Sequence, residues 1–154
     1  MGKFGSWTGT GSSDPLTDQE QQFLTLTGGR WYRYAGNPDN PLTYHHPNGL
    51  MFRPIDWLLH NYGSAPWILR CIPLFAPTRF PDAYVLHDQC YSYLHQVGVS
   101  KDGGKTWAKC RVTRRFADTM LSLSILAGGN SMARRVAARV IGPVVSACGW
   151  AAWQ

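Results

Sequence analysis

His87 and Asp88, with Tyr91 one helical turn on, stand about thirty residues ahead of a second acid, Asp118. Histidine changes charge near neutrality, which suits it to take a proton from water as a general base. An acid on the far ring nitrogen would fix its tautomer and orientation. Both segments are predicted on helices, so His87 and Tyr91 share one face and Asp88 lies to one side. Helices packed side by side would bring His87 to Asp118 and leave Asp88 free to hold a cation. The same residues admit a non-catalytic arrangement, a buried polar network in which His87 donates to Asp118 and Arg114 neutralises the remaining charge. Arg114 and Asp118 are also one turn apart, the spacing of a surface ion pair.

The elements that must position these residues follow from periodicity and punctuation. Residues 20–26 and 30–35, apolar and aromatic on either side of Gly28-Gly29, are predicted as short strands. Leu42 to His46 and Leu50 to Arg53 flank Pro47-Asn48-Gly49, a strong hairpin signal. Residues 56–80 mix Pro, Trp and aliphatic residues irregularly, with Ser64 placed to cap a short helix beginning at Pro66-Trp67. Asp82 is expected to cap a helix of about fifteen residues that ends at Gly98. Ser100 to Trp107 has the form of a tight turn pinned by Asp102 and two glycines. It matches the Asp-box hairpin of propeller proteins but occurs once, without the repeats a propeller needs. A second helix is predicted from Thr113 to Ala127, with Phe116, Met120, Leu123 and Ala127 as its buried stripe. A third begins at Ser131, sets Arg134, Arg135 and Arg139 on one side and Val136, Val140 and Ile141 toward the core, and is kinked or broken at Gly142-Pro143.

The chain has 154 residues, enough for one domain that buries about two-thirds of its surface. Residues 1–30 are expected to form a flexible or partner-ordered extension, because the first fifteen are rich in Gly, Ser and Thr. Residues 31–154 are expected to form a single α+β domain: a short antiparallel hairpin layer, then two motif-bearing antiparallel helices and a kinked C-terminal helix. Fifteen Lys and Arg against nine Asp and Glu give a net charge of +6, which favours an anionic partner. No motif accompanies that charge to suggest sequence-specific nucleic-acid binding. Cys71, Cys90, Cys110 and Cys148 lack zinc-ligand spacing and are expected as reduced thiols. No secretory signal or transmembrane span is visible. His45, His46, His60 and His95 are expected at the surface or in turns.

Residues from about 42 to 150 resemble a family of unknown function found in tailed-phage genomes. The matching pieces are Ser64-Ala65-Pro66, His87-Asp88-Gln89-Cys90-Tyr91, Arg114 through Ala117-Asp118, and Arg139 with Gly142. More distantly, His-Asp-x-x-Tyr followed by Ala-Asp on a later helix is similar to the phospholipase A2 pattern, including its form in parvovirus capsids. That resemblance implies His87 as the base, Asp118 as its orienter, Tyr91 completing the network and Asp88 as a calcium ligand. Gly63 and Ser64 are the loop residues it would supply as further ligands. Two functions are therefore expected side by side. One is a calcium-assisted ester hydrolase acting on phospholipid or a membrane surface. The other is a non-enzymatic bacteriophage virion or assembly component, held among other virion proteins that order residues 1–30. Either places the protein in the virion or the bacterial host cytoplasm.

Overall fold

The computed structural model describes residues 2–26, 30–55, 58–61, 72–92 and 94–148. The fold is α+β, as expected. A five-stranded antiparallel sheet runs in the order β1 (Ser6–Thr8), β4 (Thr43–His45), β5 (Met51–Arg53), β7 (Gln96–Ser100) and β8 (Ala108–Arg111). A smaller sheet orders β2 (Gly11–Pro15), β3 (Tyr32–Gly36) and β6 (Leu59–His60). The helices are α1 (Asp18–Phe23), α2 (Pro81–Cys90), α3 (Arg114–Ala127) and α4 (Met132–Cys148).

The β4–β5 hairpin forms as its sequence dictates, with Tyr44 opposite Phe52 and Gly49 at φ 90° in the turn. Phe52, Val97 and Val99 join Leu86, Cys90, Ala117 and Met120 in a core between the large sheet and the α2–α3 pair. A second core joins Tyr34, Leu42, Tyr84, Leu121, Ile125, Ile141 and Val145, and it seats α4. The α2–α3 seam that carries the His/Asp residues thus has packed apolar layers on both sides.

Several elements differ from expectation. The strands β1 and β2, within the expected N-terminal extension, pair with β4 and β3 of the same chain. Trp7 Nε1 donates to the Ser124 carbonyl on α3 at 2.9 Å, and the Tyr44 hydroxyl donates to the Phe4 carbonyl at 2.7 Å. Residues 18–23 form a helix rather than a strand, because Thr17 and Glu20 close a capping box over its first turn. Helix α2 begins at Pro81, takes no side-chain cap and ends at Cys90, far short of Gly98. His95 turns the chain at φ 48°, and residues 96–100 become a strand. Their alternation of Val97 and Val99 with Gln96, Gly98 and Ser100 has a period of two, and sheet pairing prevails over helix continuation. The cap expected at Ser64 lies outside the described residues.

Helix α3 starts at its Thr113 cap as predicted, but its buried face is rotated. Ala117, Asp118, Met120, Leu121, Ser124 and Ile125 are buried, while Phe116, Leu123 and Ala127 are only half-buried. Helix α4 continues through Gly142-Pro143, so of the kink or break expected there the break does not occur. Gly142 is where α4 lies closest to α3: a Cβ there would run into Ser122 Oγ. Gly142→Val is therefore expected to destabilise the fold by about 1–3 kcal/mol through overpacking. Urea denaturation would measure that loss, and adding Ser122→Ala should recover part of it.

Candidate functional site: a buried His–Asp–Tyr network

Helices α2 and α3 bring the predicted residues together. His87 Nε2 lies 3.3 Å from Asp118 Oδ1, and the Tyr91 hydroxyl donates to the same oxygen at 2.6 Å. One helical turn separates His87 from Tyr91, and their rings lie 4.4 Å apart between centroids. Two donors on one carboxylate oxygen fix Asp118 and, through it, the orientation of the imidazole. The ring's other nitrogen, Nδ1, points toward Asp88, whose Oδ1 is 4.0 Å away.

Asp88 is not left facing open solvent. Its Oδ2 is 3.8 Å from Nδ1 of His60, and its side chain is only 9% exposed. His60, at the end of β6, also meets Ser13 Oγ through Nε2 at 3.1 Å and stacks on Tyr32. The result is a chain of polar groups from β2 to α3: Ser13, His60, Asp88, His87, Asp118, Tyr91. His60 is 2% exposed and is not the surface or turn residue the sequence suggested, whereas His95 is a turn residue as expected, though buried. His60 shares its strand face with Leu58, also buried. That alternation is the one sequence signal that could have placed it inward.

The electrostatics follow from this enclosure. Burial alone would lower the pKa of His87, but its contacts with Asp118 and Asp88 outweigh burial and raise it above the ordinary histidine value. Burial likewise pushes Asp118 upward, yet the bonds from His87 and Tyr91 hold it below the usual carboxylate range. His60 is lowered by burial, partly offset by Asp88. The Tyr91 phenol is raised, chiefly by burial and then by its bond to Asp118. Cys90, beside these groups, is pushed up by burial to about 12 and is an inert core thiol at neutral pH. Cys90, Cys110 and Cys148 are all free, and Cys71 lies outside the described residues.

The imidazole edge expected to face water does not. His87 is 1% exposed, and Nδ1 is covered. The surface ion pair between Arg114 and Asp118 does not form either. Arg114 instead donates to the Ser146 carbonyl of α4 at 2.8 Å, tying that helix to the seam.

As a calcium site, Asp88 is a poor fit among the described residues. Calcium takes about six to eight oxygen ligands. Two imidazoles flank the Asp88 carboxylate, and no cluster of three or more metal-ligating side chains occurs among the described residues. Gly63 and Ser64, the other expected ligands, lie outside the described residues. Comparison with family models, with curated proteins and with solved structures finds no match to this chain. No helix among the described residues is long and apolar enough to cross a membrane.

Proposed function

We propose that this is a phage-encoded ester hydrolase of the phospholipase A2 type, with His87 as general base, Asp118 as its orienter and Tyr91 as the group that steadies Asp118. The observation that supports it is the double occupancy of one Asp118 oxygen, by His87 Nε2 at 3.3 Å and the Tyr91 hydroxyl at 2.6 Å. Such clamping leaves Nδ1 as the nitrogen able to take a proton from water. The two flanking acids favour the protonated ring, whereas the base form is the neutral imidazole. Activity should therefore rise with pH through the titration of that ring. Substrate also requires the cover over Nδ1 to part, as in enzymes whose sites open on binding. The substrate class is a phospholipid or similar ester, in keeping with the net charge of +6. Among the described residues calcium assistance rests on Asp88.

A second reading is favoured by the 1% exposure of His87. Here the protein is a non-enzymatic virion or assembly component, and the network is a polar tie between the helices. Incubating wild-type protein and His87→Gln with phosphatidylglycerol vesicles, with and without calcium, separates the two. The hydrolase reading expects fatty-acid release by wild type and a loss on the order of 10²–10⁴ in His87→Gln. Equal and negligible release by both would end it and leave the virion component. Asp88→Asn, assayed alongside, should abolish any calcium dependence.

A further inference from the structure

The outer face of the large sheet carries a second constellation, remote in chemistry from the His/Asp seam. Strand register places Arg53 of β5 opposite Gly98 of β7, and Gly98 opposite Lys109 of β8. Directly opposed residues share a sheet face, so two cations flank a glycine across about 10 Å, two strand spacings. Trp107 lies two residues before Lys109 and caps the row. The Arg53 guanidinium sits over its indole ring, 4.2 Å from the centroid. The indole is itself fixed, because Trp107 Nε1 donates to the Gly104 carbonyl at 3.0 Å.

The glycine is needed for this stacking. A Cβ on Gly98 would come within 3.0 Å of Arg53 Cγ, so the Arg53 stem lies across the space a side chain would fill. Arg53, Gly98, Trp107 and Lys109, with Pro54 and Ile55, line a surface cavity of about 350 Å³. Among the described residues its lining contains no carboxylate. Among the described residues neither Arg53 nor Lys109 has an ion-pair partner. A guanidinium stacked flat on an aromatic ring keeps its edge N–H donors free, in the fork that matches phosphate oxygens. Two like charges held beside one cavity lower their mutual repulsion when an anion sits between them.

We propose that this cavity is a binding site for a phosphate ester, with Arg53 as the forked donor held in place by Trp107 and Gly98, and Lys109 as the second cation. The site stands independently of the hydrolytic reading. The test is to titrate the full chain with inorganic phosphate and with glycerol 3-phosphate while following the indole N–H resonance of Trp107, assigned from Trp107→Phe. Saturable shifts are expected with both ligands, weakened at least tenfold in Arg53→Ala and clearly weakened in Gly98→Ala, where Arg53 is displaced. Arg139→Ala removes one exposed charge elsewhere and should leave binding unchanged. No saturable shift in wild type would overturn the proposal, as would equal weakening in Arg53→Ala and Arg139→Ala, which would mark diffuse charge attraction. Flotation with phosphatidylglycerol vesicles identifies the source of the phosphate. Arg53-dependent flotation assigns it to a lipid headgroup, whereas glycerol 3-phosphate binding without flotation assigns it to a soluble ester.

Discussion

Asp118→Ala is expected to cost about 3–5 kcal/mol of stability, the penalty for removing one partner of a buried charged pair. The side chain is 5% exposed and meets His87 and Tyr91 at once. Alanine would leave Nε2 of the buried imidazole and the Tyr91 hydroxyl facing each other across a void. Small domains are stable by about 5–15 kcal/mol, so the loss should appear as a large fall in the urea midpoint. A double-mutant cycle with Tyr91→Phe should give a coupling of about 0.5–3 kcal/mol, since both residues act on one oxygen. Replacing His87 and Asp118 together by leucine should be far less harmful than Asp118→Ala, because it removes both charges instead of stranding one. A change within about 0.5 kcal/mol for Asp118→Ala would place it among ordinary surface substitutions and remove the network from any account of the fold.

The core of that network was legible because helical spacing is a strong constraint. His87 and Tyr91 at i and i+4 must share a face, and any neighbouring helix that offers an acid can close the set. Asp118 met that condition although the stripe read from the sequence was misplaced, because the true buried face carries Ala117, Asp118 and Leu121. His60 was not legible, since its contact with Asp88 depends on where β6 pairs with β3, a relation set by tertiary packing. The same limit explains the first thirty residues. Composition reads Gly, Ser and Thr as flexible, yet backbone pairing to β3 and β4 asks little of side chains. The end of α2 was misjudged where two patterns overlap. Leu94 continues the helical spacing, whereas Val97 and Val99 begin a strand, and the turn at His95 decides between them. The place of Arg53 beside Gly98 and Lys109 lay beyond sequence reading, because tertiary pairing alone sets β5 next to the β7–β8 hairpin.

The opposite shifts of the two linked histidines predict a pH signature that neither would give alone. His87 has a folded pKa raised above its ordinary value of 6.5. Its stabilising contribution is thus fully present below pH 6.5 and is lost as pH rises through the folded pKa. His60 has a folded pKa lowered from 6.5, so the folded state binds that proton less readily than the unfolded chain. Its effect is a loss of stability as pH falls from 6.5 toward the folded value. Asp118, lowered from 3.8, contributes above that pH and ceases to do so only in stronger acid. Wild-type stability should therefore be greatest near neutrality and decline on both sides. His60→Gln should flatten the decline below pH 6.5 and retain the alkaline one, while His87→Gln should do the reverse. In His87→Gln, Asp88 serves His60 alone, which shrinks the acid-side slope without changing its sign while burial remains the larger influence. Each slope is bounded at about 1.4 kcal/mol per pH unit, the value for one proton. Urea midpoints between pH 5 and 9 measure them. Parallel profiles in the two variants would show that the rings do not titrate as an opposed pair, and the Ser13-to-Tyr91 chain would then divide into separate contacts at Asp88.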